Sequence, residues 1–274
     1  MEDLHRTLAT YAYSVLGSMD DARDVVQDVM EKYIGMDRSP IEDVRNYLIK
    51  ATVNRAINLK KRKTYESTYG KWLPEPVEVH TPDSPLIREQ TASYSLLVLM
   101  ERLNPLERGV FILKEGFGYR HQEIAEVLDI RPDHSRQLFL RAGKSLQKTA
   151  YTPKGTAPKD LEAYVRALTG SDLKKLESLL QEDVELMADG GKLVKVVSGF
   201  SQGSRATAEL LHKVHGLFLG GDDWFITQMN HLPALVFHRD GLVHNCQIMD
   251  FDGQGIVRVY SLVDPQKLKS IKIP

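Results

Sequence analysis

The sequence has very little cysteine and no long hydrophobic run. One cysteine, Cys246, occurs in 274 residues, which excludes an internal disulfide framework and fits a reducing compartment. No uninterrupted apolar stretch approaches the roughly 20 residues that a membrane-spanning helix needs, and the first residues are acidic and polar, unlike a signal peptide. The sequence also shows no residues at the spacing of a metal site and no glycine-rich loop of a nucleotide-binding site. We therefore expect a soluble cytosolic protein with no membrane partner, metal or cofactor.

The sequence also lacks an excess of either charge. It has 36 Lys and Arg against 37 Asp and Glu, for a formal net charge of −1. A protein that coats nucleic acid through bulk charge needs a clear cationic excess, so any contact with DNA must use local basic patches. The length allows two or three domains, each with a core of its own.

Residues 103–148 predict three helices joined by abrupt turns. Asn104 can cap the first helix, Pro105 suits its first position, and Glu107 completes a capping box. The second helix is predicted over His121–Leu128, and a third follows a tight turn. This order of short helices is that of a helix–turn–helix.

The third helix of this segment has the pattern of a DNA-recognition helix. Leu138, Ala142 and Leu146 repeat at helical spacing on one side, and the other side is basic and polar. Arginine to guanine and glutamine to adenine are major-groove contacts of this kind. A plain helical hairpin with a solvated basic face remains an alternative at this point. The candidate DNA contacts are Arg136, Gln137, Leu140, Arg141, Lys144 and Lys148.

The first 64 residues predict an all-helical domain. One helix, Asp20–Ile34, has an apolar inner side and an acidic outer side, which is ordinarily only a solvated surface. The next helix, Ile41–Lys63, ends in four consecutive cations. Cations suit the C-terminal end of a helix dipole, and they also suit contacts with phosphates and bases. The candidate nucleic-acid contacts of this helix are Asn54, Arg55, Asn58, Lys60, Lys61 and Arg62.

Two proline-rich linkers divide the rest of the chain. The first contains WLPEP, and we expect Trp72 and Leu73 to dock on a folded domain because an apolar pair in an extended segment rarely stays in solvent. The predicted organisation is a helical domain, a linker, a helix–turn–helix domain, a second linker and a C-terminal α+β domain. Their boundaries are residues 1–64, 65–90, 91–150, 151–158 and 159–274.

The C-terminal domain is predicted to place helices first and a curved antiparallel sheet after them. Its first two strands are predicted at Val184–Met187 and Leu193–Ser198, with a helix over Ser204–Phe218. Four strand-like runs at hairpin spacing follow. They are Trp224–Met229, Ala234–His238, Val243–Met249 and Ile256–Leu262.

The chain resembles the extracytoplasmic-function type of RNA polymerase sigma factors, in the subgroup with a SnoaL-like C-terminal domain. The stretch DARDVVQDVMEKY is similar to the region-2 helix that docks on the polymerase clamp. NYLIKATVNRAINLKKRK is similar to the segment that recognises and melts the −10 element, and residues 103–148 resemble region 4, which reads the −35 element. The resemblance implies RNA polymerase core (clamp and flap surfaces) and promoter DNA as partners. It implies polymerase-binding roles for Asp21, Asp24, Gln27 and Asp28.

Three further motifs are similar to those of this subgroup. They are WLPEP, the turn Asp189-Gly190-Gly191-Lys192, which is one glycine short of the subgroup's motif, and DPQKL near the C-terminus, which has two changes. The resemblance implies that they form an interdomain regulatory site. Its residues would be Trp72, Leu73, Pro74, Glu75, Pro76, Asp189, Gly190, Gly191, Lys192, Asp264, Pro265, Lys267 and Leu268.

We therefore expect a sigma factor for −10/−35 promoters, without enzymatic activity, whose C-terminal domain modulates it. The alternative is a DNA-binding regulator whose C-terminal domain is a small-molecule sensor or a cyclase- or isomerase-like enzyme. A ligand in the C-terminal pocket fits either view. Enzymes of the SnoaL-like fold use an Asp in an apolar pocket as a base. The candidates for such a role are Asp189, His231, His238, His244 and Asp250.

Overall fold

In a computed structural model of the chain, the structure describes residues 2–37, 41–63, 65–78, 93–147 and 158–274. The chain divides into two compact units. The first, here called the helical unit, consists of residues 1–64 and 80–150. The second, the α+β unit, consists of residues 65–79 and 151–274, so the WLPEP linker belongs with the C-terminal domain. Among the described helices, none is long and apolar enough to cross a membrane.

The described elements of the helical unit are seven helices. They are α1 (Glu2–Leu16), α2 (Met19–Gly35), α3 (Val44–Arg62), α4 (Tyr94–Met100), α5 (Pro105–Phe111), α6 (His121–Leu128) and α7 (Pro132–Gln147). A π-helical turn, Ile112–Gly116, continues α5. The predicted capping box of Asn104 and Glu107 is confirmed, with both reciprocal hydrogen bonds present at the start of α5.

Helix α5 packs closely on α3. The two helices approach so nearly at Gly109 that a Cβ there would lie 2.6 Å from Ile57 Cδ1. Near the end of the π-helical turn, the ring of Phe117 stacks on Tyr11 of α1 at 3.6 Å between centroids. The segments that resemble regions 2 and 4 therefore share one apolar core within the helical unit.

The α+β unit packs helices on one face of a six-stranded sheet. Its elements are α8 (Pro158–Thr169), α9 (Leu173–Ser178), β1 (Leu180–Asp189), β2 (Phe200–Gln202), α10 (Ser204–Val214), β3 (Asp223–Met229), β4 (Leu232–Arg239), β5 (Leu242–Phe251), β6 (Ile256–Leu262) and α11 (Pro265–Leu268). The strand order is β2-β1-β6-β5-β4-β3. The core between helices and sheet includes Tyr164, Leu211, Phe237 and Met249, all nearly inaccessible to solvent.

Two predictions for this unit are wrong. The sheet is mixed rather than antiparallel, because β1 runs parallel to β6. Residues 193–198 are not a strand, since the chain turns after Gly190, where Val194 N–H donates to the Gly190 carbonyl at 3.0 Å, and the next strand is Phe200–Gln202. The apolar side chains of Val194 and Val196 line a cavity instead of a strand face.

Candidate nucleic-acid interface and linker site

Helix α7 presents the predicted basic face to solvent. Leu138, Ala142 and Leu146 are buried against the rest of the helical unit. His121 Nδ1 lies 2.9 Å from Ser135 Oγ and ties α6 to α7. The candidate contacts on the opposite side are all exposed, and Lys148 lies outside the described residues. The exposed residues are Arg136, Gln137, Leu140, Arg141 and Lys144.

The guanidinium of Arg136 pairs with Asp133 one turn earlier on α7. Both side chains are largely exposed, so exchanging this partner for a nucleic-acid group costs little. Helix α7 is thus packed on its apolar side, and its exposed basic and polar side can exchange its present contacts for others.

The six candidate residues at the end of α3 do not form one open surface. Arg55, Asn58, Lys61 and Arg62 are exposed. Asn54, Arg55 and Lys60 have partners within the helical unit. Asn54 Nδ2 donates to the carbonyl of Val127 at 2.6 Å. Arg55 forms an ion pair with Asp28 at 2.7 Å, and Lys60 forms one with Glu101 at 2.8 Å.

Lys60 belongs to a buried charge cluster that sequence reasoning missed. Arg108 is fully buried, donates from Nε to the Ser14 carbonyl at 2.8 Å, and pairs with Glu101. Lys60 donates to the same carboxylate and to the Leu16 carbonyl at 3.1 Å. Burial, followed by the nearby charge of Arg108, lowers the pKa of Lys60 to about 8. In the sequence Arg108 stands between Glu107 and Gly109, and nothing local indicates that it is buried.

The four candidates for polymerase binding differ in their exposure and in their partners. Asp24 and Gln27 are exposed on α2, and Gln27 Nε2 donates to Glu31 Oε1 at 2.9 Å. Asp21 accepts from Lys63 at 2.7 Å, and Asp28 from Arg55. The acidic side of α2 is therefore partly neutralised by the basic end of α3.

The WLPEP, DGGK and DPQKL motifs meet at the buried carboxylate of Asp189, at the end of β1. Asp189 Oδ2 accepts from the Leu73 backbone N–H at 2.8 Å and from Lys267 Nζ at 2.5 Å. Its Oδ1 accepts from the Gly191 N–H at 2.8 Å. Lys267 Nζ also donates to the Leu73 carbonyl and lies 4.4 Å from the centre of the Trp72 ring. We call Leu73, Asp189, Gly191 and Lys267 the linker site.

Backbone contacts extend the linker site in both directions. The Gly191 carbonyl accepts the N–H groups of Thr68 and Tyr69, and Val77 exchanges hydrogen bonds with Asn230. Gly191 has φ of 61°, and a Cβ there would lie 2.2 Å from Asp264 Oδ2, so no larger residue fits. The remaining residues of the three motifs lie around this site. The Gly190 N–H donates to the Tyr69 carbonyl, Asp264 caps α11, and Pro265 is the first residue of that helix. Lys192 is exposed, and the buried residues are Pro74, Glu75, Pro76 and Leu268.

A cavity of about 580 Å³ lies within the α+β unit. Of the candidate catalytic residues, His244 lines it, while Asp189, His231, His238 and Asp250 do not. His244 Nδ1 lies 3.8 Å from Asp222. The buried polar residues that line the cavity, Asn245, Gln247 and Ser261, were not among the candidates predicted from the sequence. In the part of the chain that the structure describes, no group of His, Cys, Asp and Glu could hold a metal ion.

Comparisons with known proteins decide the family. Residues 1–65 match the family Sigma-70 region 2, and residues 93–146 match Sigma-70, region 4. Over 200 residues the chain is 32% identical to the ECF RNA polymerase sigma factor SigJ of Mycobacterium tuberculosis. The chain belongs to the extracytoplasmic-function sigma factors. That alignment covers 69% of this sigma factor and 63% of SigJ, which is less than two thirds of that relative's length.

Two further comparisons extend this result. The probable ECF RNA polymerase sigma factor SigI of Mycobacterium tuberculosis is 27% identical over 203 residues, covering 70% of each chain. The crystal structure of Mycobacterium tuberculosis SigJ matches with a TM-score of 0.76 and 25% identity, covering 98% of this chain and 96% of that one. The predicted fold class, helical sigma regions followed by an α+β SnoaL-like domain, is confirmed.

Proposed function

We propose that this sigma factor directs core RNA polymerase to promoters with −10 and −35 elements and that its α+β unit modulates this activity. The observation that carries the proposal is the exposed face of α7, with Arg136, Gln137 and Arg141, on a helix whose other side is buried in a region-4 domain. That geometry suits insertion into a major groove.

The two DNA elements would be read by different helices. Arg136 and Gln137 would contact bases of the −35 element, while Lys144 and Lys148 would contact phosphates. The end of α3 would hold the −10 element, where strand opening exposes bases that can be captured outside the stack. Neither surface offers many contacts, so the two must bind together, which a tether makes efficient through effective concentration.

Binding at the −10 element would require the helical unit to rearrange. Asn54 is hydrogen-bonded to Val127 and Lys60 to Glu101, so neither is available to DNA in the described packing. We propose that the segments of regions 2 and 4 separate when polymerase and promoter bind. The acidic side of α2, with Asp24 and Gln27 exposed, would meet a basic polymerase surface, where charge complementarity sets the rate and register of encounter.

The linker site supports a modulatory role for the α+β unit. Residues 65–78 lie in sequence between region 2 and region 4, and hydrogen bonds from several parts of the α+β unit hold them. A linker that is bound to the α+β unit can span a shorter distance than a free linker. Binding of residues 65–78 by this unit therefore limits how far regions 2 and 4 can separate. We propose that the unit acts in this way, without enzymatic activity, in the cytoplasm where core polymerase works.

Run-off transcription tests the proposal. The purified chain is added to bare core polymerase with a set of templates that carry varied −10 and −35 sequences. We expect RNA to start at a defined position on a subset of templates, and core polymerase alone gives the background. A regulator that binds DNA without polymerase would instead bind the templates but neither retain core polymerase in a pull-down nor produce defined transcripts.

A further inference from the structure

The cavity of the α+β unit is apolar with a polar group buried inside it. Its wall is formed mainly by aliphatic side chains such as Leu186, Leu211 and Val214. A volume of about 580 Å³ lies within the range of roughly 300–1,000 Å³ that small-molecule sites occupy. None of the described residues that line it is Asp or Glu, and its two lysines, Lys195 and Lys269, are exposed to solvent, so the buried part of the cavity favours an uncharged ligand.

Asn245 supplies the polar group. It is fully buried on β5, and its Nδ2 donates to Ser261 Oγ at 2.9 Å. Its Oδ1 accepts no hydrogen bond from the protein. A buried acceptor without a partner costs free energy, which a donor from a bound molecule would recover. Beside it, Gln247 Oε1 accepts from Tyr164 Oη at 2.8 Å, which leaves the amide Nε2 of Gln247 to donate.

The cavity shares its wall with the linker site. Leu268 lines the cavity, and the preceding residue, Lys267, binds Asp189 and Leu73. Ala188 also lines the cavity, and its carbonyl accepts the N–H of Lys71 in the linker at 2.8 Å. A molecule that fills the cavity therefore packs against the same helix α11 and strand end that hold the linker.

We propose that this cavity binds an uncharged, largely apolar molecule bearing a hydroxyl or N–H group, which donates to Asn245 Oδ1, and that its binding strengthens the hold on the linker. The ligand contacts the arrangement in which α11 and the end of β1 are docked, so by linkage it favours that arrangement. The consequence for transcription rests on the proposed function. Binding and linker docking do not, since both are measured on the chain without polymerase.

The binding experiment uses 2-naphthol and 2-methoxynaphthalene, which share an apolar frame but differ in the donor, together with 1-dodecanol. We expect saturable binding of both alcohols to the full chain by calorimetry. Asn245→Leu should lower the affinity for 2-naphthol about tenfold, equivalent to about 1.4 kcal/mol. The affinity for 2-methoxynaphthalene should not change. Gln254→Leu, an exposed amide of the same unit, is the matched control.

A second variant keeps this test decisive if Asn245→Leu folds poorly. The double variant Asn245→Leu/Ser261→Ala removes both hydrogen-bonding partners together, which proteins tolerate better than removal of one. It should show the same selective loss. Absence of saturable binding of either alcohol, or equal affinity for 2-naphthol and its ether in the wild-type chain, would overturn the proposed site.

The coupling is measured through Trp72. In a Trp224→Phe background Trp72 is the single tryptophan, and 1-dodecanol is optically silent. We expect saturating 1-dodecanol to reduce acrylamide quenching of Trp72, and Lys267→Met to abolish that reduction while still binding the alcohol. Unchanged or increased quenching of Trp72 at saturating 1-dodecanol would refute the coupling. A chain that binds the ligands as expected but does not start RNA synthesis with core polymerase would refute the proposed function and not the binding site.

Discussion

One oxygen of Asp189 accepts two hydrogen bonds from residues that lie far before and far after it in the sequence, from the Leu73 N–H and from Lys267 Nζ. Lys267 in turn donates to the Leu73 carbonyl, so both polar groups of one linker residue are satisfied by this ion pair. The linker is thus held through its backbone, which explains how a buried charge pair can fix an extended segment with no ladder of its own.

The two members of this ion pair should differ in their effect on stability. Asp189→Ala leaves the Lys267 ammonium without its counter-ion and the N–H groups of Leu73 and Gly191 without an acceptor, and should cost about 3–5 kcal/mol. Lys267→Met leaves a carboxylate that still accepts two backbone N–H groups, and should cost about 1–3 kcal/mol. Urea unfolding followed by tryptophan fluorescence measures both, because both tryptophans, Trp72 and Trp224, lie in the α+β unit.

Lys272→Met is the matched control, since Lys272 is an exposed lysine of the same unit. It should change the urea midpoint by no more than the scatter of surface substitutions, about 0.5 kcal/mol. Equal costs for Asp189→Ala and Lys267→Met would contradict the arrangement of donors around Asp189.

The charge cluster of the helical unit should show the same asymmetry. Glu101→Ala leaves Arg108 and Lys60 facing each other without a carboxylate, and should cost about 3–5 kcal/mol. Lys60→Met removes one of two cations that share a single acid, and should cost less than about 1.5 kcal/mol. Far-ultraviolet circular dichroism follows the unfolding of this mostly helical unit. A larger loss from Lys60→Met than from Glu101→Ala would contradict this balance of charges.

Stability of the helical unit should increase with pH in the alkaline range. The pKa of Lys60 is about 8 in the folded chain, below its ordinary value of 10.5, so between these values the unfolded chain binds more protons. The unfolding free energy therefore rises from about pH 8 to 10.5, by up to about 3 kcal/mol. Urea unfolding at several pH values measures this rise. Lys60→Met should lack it, and a parallel rise in the variant would assign the effect to another group.

The contact between α3 and α5 depends on the missing side chain at Gly109. A Cβ there meets Ile57 Cδ1 at 2.6 Å, so Gly109→Ala should destabilise the helical unit by about 1–3 kcal/mol, even though alanine favours helices. Ile57→Val, which removes that Cδ1, should restore part of the loss in the double variant. Gly35→Ala, where a Cβ meets nothing within 4 Å, is the control. Thermal unfolding that shows equal stability for the two alanine variants would contradict this packing.

The sequence allowed the helices of the DNA-binding regions to be predicted because their signals are local. The capping box of Asn104 and Glu107 and the apolar spacing of Leu138, Ala142 and Leu146 need no knowledge of distant residues. The strand at residues 193–198 failed for the opposite reason. Its valines alternate as in a strand but line a cavity, and an alternating pattern does not distinguish the two.

The same difference between local signals and long-range contacts applies to the site residues. The exposed face of α7 follows from helical periodicity, whereas the pairing of Lys60 with Glu101 joins residues 41 positions apart. Asn245 gave no signal, since a buried amide on a strand matters only once the cavity around it is known. The motifs around Trp72, Asp189 and Lys267 were recognised by resemblance, and only the structure shows that one carboxylate connects them.

Arg136 should set promoter choice at the −35 element without affecting polymerase binding. Arg136→Ala removes an exposed guanidinium that we propose binds guanine, so transcription from preferred −35 sequences should fall by a factor equivalent to about 1–3 kcal/mol, and discrimination among −35 variants should narrow. Run-off transcription across −35 variants measures this, and a pull-down with core polymerase should be unchanged. Arg166→Ala, also an exposed and ion-paired arginine, is the control on α8. If Arg136→Ala discriminates among −35 variants as the wild type does, α7 does not read bases through this residue.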